Sequence, residues 1–299
     1  MKTKVLVTGS SGQLGSYVCE RLARDHEVVG FDMRPQPYEA IMRLCILGDI
    51  TSRSDVANAL RGVRWVVHCA AQVSVEKSTK DPVFDANANV LGTVNMLQLS
   101  SEAEVERFVY VSSAAVFGQP KYAPIDESHP TEPISNYGVG KLSGEKYALA
   151  FARNSPMEVT CIRPFNFYSP RADPSSPYSG VITKFVGRLK SGKTPVIEGD
   201  GLQTRDFIHA LDVVEMVALM LDKKGLDGQV FNCGSGHATS VLDLAISAIM
   251  LSGLKLKPEF TSPRVGDIRE SVANCAKARE MLGFKPKIDL DQGLAELLA

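Results

Sequence analysis

KVLVTGSSGQLGSYVCERLARD, residues 4–25, decides the fold. A short β-branched run ends in glycine, a polar glycine-rich stretch follows, and a segment with helical apolar spacing begins at once. Strand, tight turn and helix in that order open an α/β sheet. Gly9, Gly12 and Gly15 are spaced GxxGxxG within TGSSGQLG (8–15). Such glycines supply a tight turn, close approach of backbone to a pyrophosphate, and close packing of helix on strand. The helix N-terminus then turns N–H groups toward phosphate charge. A glycine triplet alone is weak evidence; its strand–turn–helix context makes it strong.

The same rhythm continues outward. EVVGFD (27–32), RLCILGDI (43–50), WVVHCAA (65–71), RFVYVSS (107–113) and EVTCIRP (158–164) read as strands. SRSDVANAL (52–60), with Ser52 as a cap, VLGTVNMLQLSSEA (90–103) and the stretch from 136 read as helices. Strand and helix in alternation predict an α/β fold, a doubly wound parallel sheet covered on both faces. After residue 165 the rhythm breaks. RPFNFYSPRADPSSPYSG (163–180) reads as a long ordered loop at a strand exit, where α/β proteins bind ligands. VITKFVGRLKSG (181–192), SVLDLAISAIMLSG (240–253) and AKAREMLG read as helices, and QVFNCGSG (229–236) as a strand returning to the main sheet. The expected division is a dinucleotide-binding domain over 1–165, joined by part of 207–253, and a smaller substrate-binding cap formed mainly by 166–299.

Composition narrows the function classes. The chain has 299 residues, with 33 Lys plus Arg against 34 Asp plus Glu. That balance leaves no electrostatic footprint for nucleic acid or an anionic membrane, so phosphate binding must come from local geometry. No segment offers about 18 consecutive apolar residues, and the N-terminal apolar run is too short for a signal peptide. Six cysteines without a CxxC pair read as small buried hydrophobes in a reducing, cytoplasmic setting, and five scattered histidines form no metal set with them.

Asp32 ends the second strand, 17 residues after Gly15, placed to accept the ribose hydroxyls of an adenosine. A carboxylate there would repel a 2′-phosphate, which favours NAD over NADP; Arg34 nearby works the other way. Asp49 suits either an adenine amino contact or a charge before the next helix. Ser112 and Ser113 close the 107–113 strand on the same sheet edge and are expected to be exposed there. SNYGVGK (135–141) sets Tyr137 and Lys141 four apart, on one helix face if the stretch is helical. Gly138 and Gly140 oppose a helix, but a cap at Ser135 or Asn136 puts both in its first turns, where the cost is lower. A phenol beside an ammonium is biased toward its phenolate and can take a proton from a substrate hydroxyl.

TGSSGQLG, FD (31–32), GDI (48–50), HCAA (68–71), NVLGT (89–93), SSAAVFG, YGVGK, RPFNFYSP, GDGLQTRDFIH (199–209), FNCGSG and RVGDIRES (264–271) occur in one order along nearly the whole chain. In that set the sequence resembles the extended short-chain dehydrogenase/reductases, in their nucleotide-sugar epimerase/dehydratase branch, and UDP-glucose 4-epimerases in particular. The resemblance implies a Rossmann domain holding NAD, with Gly9, Gly12, Gln13, Leu14 and Gly15 at the pyrophosphate, Asp32, Met33 and Arg34 at the ribose, and Asp49 and Ile50 at the adenine. It sets Ala70, Ala71, Gln72, Asn89 and Pro164 along the cofactor, with Tyr137 and Lys141. Ser113, Tyr137 and Lys141 match the catalytic set. Ser113, Asn166, Val181, Arg205, Arg264, Asp267 and Ser271 match substrate contacts, the arginines on the diphosphate and Asp267 near the uridine ribose.

The implied activity is 4-epimerisation of a UDP-hexose through a 4-keto intermediate, by a homodimer formed through the helices containing 90–103 and 137–153. The alternatives are a 4-ketosugar reductase, a uronate epimerase, a dehydratase, or a non-catalytic NAD-binding regulator. Ala114 and Ala115 stand where dehydratases carry an Asp–Glu pair, which argues against elimination of water. Phe117 replaces a usual Tyr, and Val73 stands where some galactose epimerases carry Lys. Ser271 falls where some simple-hexose epimerases place Tyr, so a small residue there should leave room for an N-acetyl group. The two glycines of YGVGK are expected to leave space beside the cofactor.

Overall fold

The computed structural model of the chain describes residues 2–173, 180–264 and 266–299. Residues 174–179 of the loop read at 163–180, and Val265 of the 264–271 segment, lie outside the described residues. The main sheet has seven strands: β1 (Lys4–Thr8), β2 (Glu27–Asp32), β3 (Cys45–Leu47), β4 (Trp65–His68), β5 (Arg107–Val111), β6 (Glu158–Pro164) and β7 (Val230–Cys233). Their order is β3-β2-β1-β4-β5-β6-β7. Every pairing from β3 across to β6 is parallel. This is the doubly wound sheet the alternation predicts, and its central strands are buried on both faces.

Four helices matter for the site: α1 (Gln13–Leu22), α2 (Arg53–Ala59), α3 (Thr93–Glu102) and α4 (Asn136–Asn154). The Ser52 hydroxyl caps α2 by accepting from Asp55 N. Leu6, Phe31, Val66, Phe108 and Val159 from the strands pack with Met96 and Leu97 of α3 and Ala148 and Ala152 of α4. Each large side chain so buried contributes about 1.5–3 kcal/mol relative to exposure. The core therefore clamps α3 and α4 onto the sheet and sets where Tyr137 and Lys141 point.

Three local expectations change. The strand read over 43–50 shrinks to Cys45–Leu47 because Glu39–Met42 turns into a short helix first. The strand read to 71 stops at His68; Ala70 N leaves the ladder to donate to the Thr8 hydroxyl. Ser112 is not exposed at the strand end but buried, its hydroxyl donating to Glu145 at 2.7 Å. Residues 82–89, not read as helical, extend the helical region upstream: a helix Pro82–Ala86 and a wide helical turn Asn87–Gly92 precede α3.

The chain groups into two compact units: Met1–Gly118, Thr131–Pro164 and Val214–Phe231 form the first; Gln119–Pro130, Phe165–Val213 and Asn232–Ala299 form the second. Relative to a division at 165, Gln119–Pro130 joins the second unit and Val214–Phe231 the first. In the second unit Asn166–Tyr168 pairs in parallel with Phe207–His209, and Thr204–Arg205 pairs antiparallel with Thr239–Ser240. Its core joins Phe185, Ile197, Phe207, Leu244 and Leu294. The expected helices are Val181–Lys190 and Val241–Ser252, the latter closed by Gly253 in the left-handed conformation. Ala210–Asp222 and Leu290–Leu298 add two helices the sequence reading passed over. Among the described residues no helix is long and apolar enough to cross a membrane.

Candidate active site

The glycine loop leaves β1 and is folded tightly on itself. Gly9 has φ +68°, and a Cβ there would lie 2.7 Å from Ala70 N. A Cβ on Gly15 would lie 2.2 Å from the Gly9 carbonyl oxygen. Gly12 is the N-cap of α1, no side chain caps it, and the first turn carries no acidic residue. The helix end is thus left to an anionic ligand. Asp32 closes the loop from β2: Oδ2 accepts from Ser11 N at 3.0 Å and Oδ1 from Arg34 N at 2.9 Å. A carboxylate has about four acceptor positions, so two remain for ribose hydroxyls. These features fit a dinucleotide.

Other expected cofactor residues have duties of their own. Asp49 Oδ1 accepts from Thr51 N in the turn before α2. Ile50 is a core residue, while Met33 is exposed. Gln72 and Asn89 are buried and bonded to each other and to Asp85: Asn89 Nδ2 donates to Gln72 O at 2.9 Å, and both side-chain amides donate to Asp85 Oδ1. Ala70 and Ala71 are half-buried after β4, and Pro164 is buried at the end of β6.

SNYGVGK is helical. The Ser135 hydroxyl caps α4 by accepting from Gly138 N at 3.1 Å, and Tyr137 N is held by the Ser78 hydroxyl at 3.0 Å. Both glycines fall in the first turns, as expected. Their role differs from the expected one, because protein fills the space they leave. A Cβ on Gly138 would meet the Ala115 carbonyl oxygen at 2.6 Å, and one on Gly140 would meet Asp85 Oδ2 at 2.8 Å.

The Ser113 hydroxyl lies near enough to the Tyr137 phenol to pull its pKa down. Ser113 Oγ accepts from Ala115 N at 3.1 Å, capping the turn Ala114–Phe117. Lys141 is 3 % exposed, with Nζ 4.5 Å from the Tyr110 ring centroid. Burial pushes the Lys141 ammonium down to about 8, against the opposing pull of Cys69, Cys161, Glu145 and Asp85. The Tyr137 phenol is not biased toward phenolate: burial pushes it above its ordinary value, Ser113 pulls the other way, and Asp85 adds to the rise. A hydroxyl, a phenol and an ammonium thus converge beside buried carboxylates, an arrangement suited to moving one proton at a substrate hydroxyl.

Comparison with known proteins decides the family. The model of the NAD-dependent epimerase/dehydratase family matches residues 5–234. This chain belongs to that family. Family members similar to it include the UDP-glucose 4-epimerase of Mycolicibacterium smegmatis, 36 % identical and aligned over 98 % of this chain and 96 % of that one. The UDP-glucose 4-epimerase of Thermotoga maritima, solved with UDP-glucose, superposes with a TM-score of 0.94 at 32 % identity over 99 % of this chain and 97 % of that one. The UDP-glucuronic acid 4-epimerase of Bacillus cereus, solved with UDP-glucuronic acid and NAD, gives 0.90 at 29 % identity over 99 % and 98 %.

For this epimerase/dehydratase-family chain, Gly15→Ala tests the loop. The Cβ would fall 2.2 Å from backbone, so the loop must open. Overpacking of this kind costs about 1–3 kcal/mol, and the expected result is about 10–100-fold weaker NAD binding in a titration.

In the second unit, Arg205 and Asp267 meet. Arg205 Nη2 lies 2.5 Å from Asp267 Oδ1, and Nη1 donates to the Thr204 and Ile268 carbonyls. Arg264 and Asn166 are exposed, Val181 is half-buried and Ser271 is buried. Sequence reasoning missed Asp85, Glu145 and Arg163, the buried charges around Lys141. The available signal was Glu145, an acidic residue one helical turn after Lys141 on its face.

Proposed function

We propose that this chain is an NAD-dependent UDP-hexose 4-epimerase. The observation that carries the reading is the grouping of Ser113 beside Tyr137 with the buried Lys141 one turn along α4, in the protein whose glycine loop fits a dinucleotide. NAD, when bound, supplies reversible oxidation at the sugar's C4. Gly9, Gly12, Gln13, Leu14 and Gly15 hold its pyrophosphate and Asp32 its adenine ribose, with Met33, Arg34, Asp49, Ile50, Ala70, Ala71, Gln72, Asn89 and Pro164 alongside. Tyr137 takes the proton from the substrate's O4 and later returns one to it. Ser113 orients that hydroxyl, and the Lys141 cation favours the phenolate and holds the nicotinamide ribose. The first unit binds the cofactor, and the second binds the sugar nucleotide.

In the second unit Asn166, Arg205 and Arg264 hold the diphosphate, and Asp267 lies at the uridine ribose. Anchoring at the nucleotide end lets the sugar present either face. Val181 and Ser271 face the sugar. With Ala114 and Ala115 directly after Ser113, no acid/base pair is present there for dehydration. The chain works in the cytoplasm, a setting that suits its six unbridged cysteines. It forms a homodimer through α3 and α4, and Val139 and Tyr147 are exposed on α4.

Incubation with UDP-glucose, UDP-N-acetylglucosamine and UDP-glucuronate tests the reading. The expected product is a 4-epimer with no net consumption of NADH. Absence of a 4-epimer from all three sinks the proposal, and stoichiometric NADH use would indicate a reductase instead. Ser271→Tyr is expected to lower kcat/KM for the N-acetylated substrate about 10-fold or more relative to the plain hexose, as one side chain's volume in a pocket allows. The ratio is the measurement, because overpacking a buried site lowers both activities together.

A further inference from the structure

Glu145 and Arg163 form a buried pair that the catalytic reading does not use. Glu145 is 0 % exposed on α4. Arg163, on β6, is 3 % exposed. The contact is bidentate: Arg163 Nη2 donates to Glu145 Oε1 at 2.6 Å and Nε to Oε2 at 2.9 Å. Two further groups close around the pair. The Ser112 hydroxyl donates to Glu145 Oε2 at 2.7 Å. On the other side, the Arg163 guanidinium lies 4.9 Å from the Phe117 ring centroid. Ser112 immediately precedes Ser113, and Phe117 ends the short turn that Ser113 caps. The pair therefore grips the Ser113 segment on both sides, while Glu145 is one helical turn from Lys141.

We propose that Glu145 and Arg163 are positioning residues of the active site, fixing the Ser113 segment beside Tyr137 and keeping Lys141 cationic. The proposal rests on the epimerase reading for its rate measurements only. Buried ion pairs contribute little net stability compared with apolar packing of the same volume. Their geometric value is different: two parallel N–H···O bonds fix β6 against α4 in both distance and angle. Phe117 gives the guanidinium an apolar face to lie on and offers no competing hydroxyl.

The ammonium of Lys141 has charged and titratable neighbours on every element around it. Tyr137, Asp85 and Glu145 lie on the helical side. His68 and Cys69 follow from β4, Tyr110 from β5 and Cys161 from β6. Burial holds His68 neutral, with its pKa lowered to about 3. Glu145 is thus one of two carboxylates that support the cation, and Arg163 lies directly behind it. Neutralising Glu145 alone removes a negative charge and leaves the guanidinium uncompensated, so both changes act against the Lys141 proton.

The test uses Glu145→Gln, Arg163→Gln and the double variant in the full chain. The Lys141 side chain is titrated by NMR in lysine-labelled protein, and kcat and KM are followed against pH in the NAD-loaded enzyme. For Glu145→Gln the expected result is a Lys141 titration about one pH unit lower, with the alkaline limb of kcat moving the same way and KM little changed. The double variant, which removes both charges, is expected to bring the titration back toward that of the original protein. A merely structural pair predicts the opposite, a double variant no better than either single one with an unmoved titration, and that result overturns the proposal. Ser112→Ala removes one hydrogen bond and leaves the ion pair, so it decides the matter if Glu145→Gln does not fold. It is expected to lower kcat several-fold with the Lys141 titration unmoved, and an unchanged kcat refutes the grip on Ser113. If the original protein epimerises nothing, the functional reading fails, while the NMR titration still judges the pair without turnover.

Discussion

Tyr137→Phe is expected to lower kcat for epimerisation by about 10²–10⁴-fold, the range for losing a positioned general acid/base. The substitution removes one oxygen and keeps the ring, so packing is retained. Tyr137 N stays bonded to Ser78 and the Ser135 cap stays on Gly138. The thermal midpoint of the variant should therefore stay within a few degrees of the original, as the loss of one hydroxyl implies. NAD binding should persist, because the loop and Asp32 are untouched. A kcat within about 10-fold of the original would show that Tyr137 is not the proton-transfer group. Loss of NAD binding would show instead that the phenol is structural.

Lys141→Met is expected to act in opposite directions on activity and stability. The ammonium is 3 % exposed and its pKa sits at about 8, below the ordinary 10.5. The unfolded chain therefore holds this proton more tightly than the folded one. Below pH 8 the folded protein carries the full penalty of a buried cation. From pH 8 to 10.5 the penalty fades as the folded group loses its proton, so this group's contribution to stability rises with pH across that window. The interval corresponds to about 3 kcal/mol at most, taking 1.36 kcal/mol for each pH unit. Without NAD, the Met variant should be more stable than the original at pH 7, with its advantage shrinking toward pH 10. Its epimerase activity should fall by about 10²-fold or more, since the cation proposed to stabilise charge on Tyr137 during proton transfer is gone. Chemical denaturation at several pH values checks the first statement and steady-state kinetics the second. A Met variant less stable at pH 7 would mean that the ring contact with Tyr110 and the carboxylates hold Lys141 more firmly than burial penalises it.

Such a trade marks a site where local rules are broken for function. Lys141, Asp85, Glu145 and Arg163 are all buried at 3 % exposure or less. In sequence they look like ordinary polar positions of helices and a strand. Periodicity reads side chains by polarity, and polarity places them in solvent. The Lys141 and Glu145 face of α4 turns inward because Ala148 and Ala152, further along the helix, belong to the core. Gly138, Gly140 and Gly144 let that face come close to neighbouring protein atoms.

Elsewhere the sequence was more legible. Helix caps carry local chemistry, so Ser52, and Ser135 or Asn136, could be read as N-caps before any fold was known, and Ser52 and Ser135 are the caps. The strand–glycine–helix opening was legible for the same reason, since Gly9 needs a positive φ and Gly15 needs bare space, and few residues provide either. Helix Ala210–Asp222 was passed over because ALDVVEMVALMLD is apolar on most sides and shows little helical contrast.

By itself the sequence determined the alternating sheet, the loop that fits a dinucleotide, Asp32 at its strand end and the Tyr137–Lys141 spacing. All of these are properties of residues near one another in the chain, set by backbone conformation and side-chain period. Only the tertiary structure decided that Ser112 is buried on Glu145, that Gly140 makes room for Asp85, and that Arg205 holds Asp267. Those contacts join residues 33 to 62 positions apart, and burial then determines which charges are stabilised and which are pushed toward neutrality.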